Sequence, residues 1–215
     1  MATFLRTMRD AADSQALVRR AQSGDAEAFD ALVRAHFTPV YAFLHRLVGN
    51  PEDAEDLAQE TFVRAHRSLA LYRIDASFST WLLRIAHHLA IDHRRAAGRP
   101  HRAASFSGVE PALVDALVER GPRGANPREE AQRGELVRRL AEALDALPAR
   151  LKAVLVLRAI EGREYDEIAA ILGVRPATAR TQVMQARREL ARRLGPHLDD
   201  AQRFGRALDD EEDAP

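Results

Sequence analysis

A chain of 215 residues can form one large helical domain or two small ones, and 46% hydrophobic with 30% charged residues describes a folded protein rather than a disordered one. Lys plus Arg and Asp plus Glu number 32 each, so the total charge points to no partner, and the lack of cysteine excludes disulfides, zinc–thiolate sites and thiol redox sensing. Residues 1–20 lack the continuous apolar core of a signal peptide, and no window approaches about 18 apolar residues, so a cytoplasmic protein without membrane insertion is expected.

From Ser14 to about Ala97 the pattern is helical, broken at Ser23-Gly24, at Gly49-Asn50-Pro51 and around Tyr72–Ser77. Phe29, Leu32, Val33, Phe37, Val40, Tyr41, Leu44, Leu47 and Val48 recur at steps of three and four and form one apolar stripe. Asn50 then supplies an N-cap and Pro51 a first-turn proline for the next helix. Ala54, Leu57, Ala58, Thr61, Phe62 and Ala65 line one side of it. Glu52 and Asp53 complement the helix dipole at the first turn. Asp56, Gln59 and Glu60 lie beyond that turn and make an acidic and amide surface suited to a basic helical partner.

Phe78–Arg95 forms the following helix, with Ser79 as its expected N-cap. Trp81, Ile85, Leu89 and Leu82 are its expected buried stripe, and Phe78 and Trp81 read as core. Arg84, His87, His88, Asp92, Arg94 and Arg95 remain for the outer surface. His88 and Asp92 stand one turn apart and could pair with each other or with a metal, but no further ligand cluster accompanies them, so neither metal nor cofactor is expected.

Eight Gly and Pro residues mark Gly98–Pro127 as a linker, within which Pro111–Val118 can form a short helix. The helical pattern returns from Glu129 to Leu194. Glu164–Val174 reads as a short helix stopped at Gly173, Arg175-Pro176 turns the chain, and Ala177–Leu194 runs as a second helix without Gly or Pro. That order is a helix-turn-helix, whose second helix enters the DNA major groove. Small Ala169 permits a close helix crossing, Ala179 and Val183 face inward, and Arg180, Thr181, Met184, Gln185 and Arg187 point outward. Arg and Gln can read base edges, and Thr and Arg can hold phosphates.

Charge is unevenly distributed. Arg84–Arg102 holds five Arg and four His against Asp92, and Arg175–Arg193 holds six Arg against Glu189. The tail carries acids from Asp209 to Asp213. Two basic islands and an acidic tail fit a nucleic-acid binder of neutral total charge. The expected fold class is all-α: helical domains at 1–97 and 129–195, a flexible linker at 98–128 and an acidic tail at 196–215.

The run Asn50–Ala65 resembles the polymerase-binding helix of bacterial extracytoplasmic-function sigma factors. Phe78–Arg95 resembles the helix that follows it in that family, which contacts the promoter −10 element, and Leu147–Leu194 is similar to the family's −35-binding domain. The resemblance implies a transcription initiation factor with core RNA polymerase (its β′ and β subunits), promoter DNA and an anti-sigma factor as partners. It places Asp56, Leu57, Gln59 and Glu60 on the β′ coiled coil. The loop Leu71–Ser77 matches the segment that captures a flipped base of the non-template strand. Arg73, Arg84, His87, His88, Arg94 and Arg95 would serve the −10 region. Arg175, Thr178, Arg180, Thr181, Met184, Gln185 and Arg187 would serve the −35 element. His88 stands where the family usually has Asn, and Gln182, Met184 and Gln185 occupy commonly basic positions, so the promoter sequence does not carry over.

Two other readings compete. A helix-turn-helix regulator acting without polymerase would share Glu164–Leu194 but would need a sensor or dimerisation domain. An enzyme built on His87, His88, Asp92 and His93 would need further convergent acids or histidines, and the sequence shows none; no catalytic residue is expected.

Overall fold

A computed structural model describes residues 14–73, 76–96 and 138–194. The expected linker helix at Pro111–Val118 and the acidic tail lie outside the described residues, as do Ile74 and Asp75 of the loop. Every regular element among the described residues is helical: α1 (14–22), α2 (Ala26–Val48), α3 (Pro51–Ser68) with a 3₁₀ turn at Leu69–Leu71, α4 (Phe78–Ala96), α5 (138–145), α6 (Ala149–Leu155), α7 (Tyr165–Leu172) and α8 (Pro176–Leu194). By their contacts they fall into two compact units, one with α1–α4 and Asp166–Arg175, the other with α5, α6 and α8 and the segment leading to Tyr165.

In the first unit, local chemistry sets the helix ends. Asp25 caps α2 by accepting from the Ala28 N–H at 3.0 Å and also pairs with Arg20 at 2.7 Å. That N–H first, and Arg20 second, hold its carboxyl below the ordinary range. Gly49 ends α2 at φ 76°, a left-handed conformation that disfavours a Cβ, and its N–H returns to the His45 carbonyl. Asn50 caps α3 through the Asp53 N–H at 3.0 Å, with Pro51 in the first turn, as the sequence predicts. The N-cap of α4 is Ser77, whose Oγ accepts from the Thr80 N–H at 3.1 Å, and not Ser79. The helix begins at Phe78, which is buried, so the cap falls on the residue before it.

Helices α2, α3 and α4 pack pairwise around Leu32, Phe43, Leu44, Phe62 and Leu82. Each such fully buried side chain contributes about 1.5–3 kcal/mol relative to exposure. Thr61 lies within this core and donates its hydroxyl to the Leu57 carbonyl at 2.7 Å, which satisfies the buried group. On α4 the buried face is Phe78, Thr80, Leu82, Leu83, Ala86, His87, Leu89 and Ala90. Trp81 and Ile85, expected in the stripe, are only half-buried. The apolar face is thus rotated from the expected one, because α4 meets both α2 and α3 and needs a wider contact than one row supplies.

In the second unit α6 packs on α8, joining Leu151 and Val154 to Ala179, Val183, Ala186, Leu190 and Leu194, with Leu140, Leu144 and Leu147 also buried. A π-turn at Val156–Ile160 follows α6, and the Glu161 N–H reaches back to the Val156 carbonyl at 3.1 Å. No described helix is long and apolar enough to cross a membrane.

Candidate partner and nucleic-acid interfaces

The faces of α3 are chemically segregated. Ala54, Leu57, Ala58, Thr61, Phe62 and Ala65 turn inward, and Glu52, Glu55, Asp56 and Gln59 are exposed. Of the four positions expected on a protein partner, Asp56 and Gln59 face water, and Glu60 is half-exposed and bonded to Arg64 at 2.8 Å, one turn on. Leu57 is only 9% exposed, so it supports this face from inside. Val63 extends the face as an apolar spot, 41% exposed. Asp53 turns the other way, 3.3 Å from His93 Nε2, and links α3 to α4.

The connection from α3 to α4 is held at both ends. Gln22 of α1 donates its side-chain amide to the carbonyls of Leu69 and Tyr72, each at 3.0 Å. The Tyr72 hydroxyl donates to the Ala76 carbonyl at 2.6 Å. Beneath, the rings of Tyr72, Phe78 and Trp81 cluster with centroids 5.0–5.7 Å apart. Leu71 stands at the loop's start with 82% of its surface exposed, and Arg73 is also exposed. Gln22 escapes a reading by periodicity because its acceptors lie 47 and 50 residues away.

Along α4, Arg84, His88 and Arg95 are exposed and Arg94 is half-exposed. Asp92 is 3.9 Å from Arg95. His87 corrects the sequence reading: it was expected on the outer surface and is buried, 6% exposed. It follows Leu83 by four residues and precedes Ala90 by three, so it shares their face. Burial first, and the neighbouring His88 second, push its pKa down to about 4, which leaves the ring neutral at pH 7. Its buried Nδ1 has no hydrogen-bond partner among the described residues.

Gly173 ends α7 at φ 68°, with the Val174 N–H returning to the Ala169 carbonyl at 3.0 Å. After the short turn, α8 begins at Pro176, a residue suited to a first turn. It buries Ala179, Val183 and Ala186 and exposes Thr178, Arg180, Thr181, Met184 and Gln185; Arg187 and Gln182 are half-exposed, and Arg175 is exposed in the turn before it. Thr181 donates its hydroxyl to the Ala177 carbonyl at 3.0 Å. Near the C-terminal end, Glu189 binds Arg192 at 2.7 Å and Arg193 at 2.8 Å. The hydrogen bond from Arg192 is the main cause of a carboxyl pKa of about 2. The Tyr165 ring lies under two guanidinium groups, those of Arg158 at 5.0 Å and Arg180 at 4.9 Å.

These surfaces coincide with family boundaries. Residues 32–100 match the family model described as Sigma-70 region 2, and residues 137–190 match Sigma-70, region 4. The chain is 34% identical over 194 residues to the RNA polymerase sigma-H factor of Pseudomonas aeruginosa, covering 87% of this chain and 96% of that one. It is 33% identical over 190 residues to the ECF RNA polymerase sigma-E factor of Haemophilus influenzae, covering 88% and 99%. Among solved structures it is similar in fold to CnrH in complex with the cytosolic domain of CnrY (TM-score 0.58, 24% identity, 83% of this chain and 95% of that one). It is likewise similar in fold to the sigma factor RpoE bound to the anti-sigma factor NepR from Bartonella quintana (TM-score 0.56, 21% identity, 81% and 99%).

Proposed function

Because the chain belongs to the extracytoplasmic-function sigma factors of the sigma-70 family, we propose that its three surfaces divide the work of initiation, with α3 docking on core polymerase, α4 and the loop before it serving the −10 element, and α8 serving the −35 element. A sigma factor binds core RNA polymerase, recognises promoter DNA and initiates transcription; here the assignment concerns which residues do so. Asp56, Gln59 and Glu60 offer carboxylates and an amide to a basic helical partner, and Leu57 fixes the helix that carries them. Arg73, Arg84, His88, Arg94 and Arg95 follow the separated strand, and His87 acts from inside by packing α4. Arg175, Thr178, Arg180, Thr181, Met184, Gln185 and Arg187 form the −35 surface.

The observation that carries this reading is α8, which buries its small apolar residues and turns Arg, Thr and Gln outward from its N-terminal half, where a recognition helix meets base edges. The domain division is correspondingly residues 1–97 and 129–195 about a linker at 98–128. The protein is on this reading a non-catalytic initiation factor that works in the cytoplasm, where polymerase is. An anti-sigma factor is its proposed inhibitor, by likeness to RpoE, which is solved with one.

Run-off transcription of genomic fragments by core polymerase, with and without the protein, tests the whole assignment. New start sites that require the protein, sharing upstream elements, support it. A protein that binds duplex DNA but neither binds polymerase nor starts transcription would be a plain helix-turn-helix regulator.

A further inference from the structure

Arg180 does not project from α8 alone. Its guanidinium carbon lies 4.9 Å from the centroid of the Tyr165 ring, at the first residue of α7, fifteen positions earlier in the chain. A second guanidinium, that of Arg158, lies 5.0 Å from the same centroid. Arg158 is itself held: its Nη1 donates to the Arg163 carbonyl at 3.1 Å and to Glu164 at 3.3 Å, and its side chain is 21% exposed. The negative face of an aromatic ring attracts a cation within about 6 Å. Two such cations would repel one another across a small space, but Glu164 offsets the charge of Arg158. The Tyr165 ring thus offers an electron-rich surface to Arg180, while its other cation, Arg158, is held by Arg163 and Glu164.

We propose that Tyr165 is a positioning residue for −35 recognition, holding the Arg180 guanidinium in the orientation that meets a base edge. This rests on the assignment of Arg180 as a base contact. A guanidinium on a flexible stem loses rotamer freedom when it forms a bidentate contact with guanine; stacking on a ring takes up part of that loss before DNA arrives. Sequence discrimination therefore depends on a side chain outside the recognition helix. The phenol oxygen has no part in this, so a bare benzene ring serves as well.

The test uses holoenzyme reconstituted from core polymerase and the full-length chain. Initiation is measured on a promoter mapped by run-off transcription and on a set of templates with each −35 position replaced in turn. Tyr165→Leu is expected to lower discrimination at one base position by roughly two- to fivefold, the size of an exposed cation–π contact, and to leave the other positions unchanged. Tyr165→Phe should keep full discrimination. Pentafluorophenylalanine at position 165 keeps the ring's shape but reverses the sign of its face, so it should behave as Leu does, and it answers the question even if Tyr165→Leu folds poorly. In an Arg180→Ala background, Tyr165→Leu should change nothing further. If Arg180→Ala lowers discrimination but the leucine and pentafluoro variants do not, Tyr165 has no positioning role. A loss spread evenly over all positions overturns the proposal as well, because it marks a purely structural residue. If Arg180→Ala itself leaves discrimination intact, the assignment of Arg180 fails, and the role of Tyr165 falls with it.

Discussion

Lys152 Nζ lies 2.8 Å from a carboxylate oxygen of Asp145, with only 4% and 14% of the two side chains exposed, so the second unit is built around an ion pair almost out of water. Burying two charges is costly, and their mutual attraction at this distance offsets part of that cost. Lys152→Met should therefore destabilise the protein by about 3–5 kcal/mol, since it removes the cation that offsets the buried charge of Asp145. Lys152→Met combined with Asp145→Leu should recover much of that loss. Urea unfolding of the two variants checks this, and equal destabilisation in both would show that the pair is not coupled.

His87 predicts a pH dependence. Its pKa is about 4 in the folded protein against 6.5 for the free side chain, so between these values the unfolded chain binds the extra proton. Stability from the neutral buried ring is fully present above about pH 6.5 and is lost as pH falls toward 4, by up to about 3 kcal/mol. His87→Gln should flatten that part of the profile. Denaturant midpoints at pH 7 and pH 5 read it directly; a variant as acid-sensitive as the parent would assign the loss to other groups.

Charge reversal on α3 separates docking from folding. Asp56→Lys and Glu60→Lys each sit on a face turned from the core, so melting temperature should hold while affinity for core polymerase falls by about tenfold or more. Ala58→Lys, by contrast, should unfold the helix, because Ala58 is fully buried. Native-gel titration with core polymerase distinguishes the two effects.

Arg180→Ala should weaken use of −35-dependent promoters by about 1–3 kcal/mol if the guanidinium reads a base. The loss should vanish on a template whose preferred base at that position has been replaced. Competition between templates measures it, and an equal loss on all of them would make Arg180 a phosphate contact.

Much of this was legible in the chain, for reasons that differ from residue to residue. Asn50-Pro51 and Gly173 act through their own backbone, so their caps and turns are read from a few neighbours. The inward faces of α3 and α8 follow from spacing alone. His87 was misread because hydropathy counts histidine as polar, although Leu83 and Ala90 place it inside. Ser79 is the cap expected from the sequence, but Phe78 already lies in the helix, so the cap falls one residue before it, on Ser77. Gln22 on the carbonyls of Leu69 and Tyr72, and Tyr165 beside Arg180, join residues that only the folded chain brings together, and no periodicity records them.

The clasp of Glu189 on Arg192 and Arg193 has a bearing on ionic strength. Six arginines lie between Arg175 and Arg193, yet two of them share one carboxylate at the far end of α8. DNA binding releases condensed counterions in proportion to the phosphates that a protein neutralises. That carboxylate offsets part of the positive charge at the far end of α8, so a plot of log affinity against log salt should count fewer cations than the sequence contains. Removing the carboxylate with Glu189→Gln should steepen that slope, adding attraction for any DNA and none for the right one.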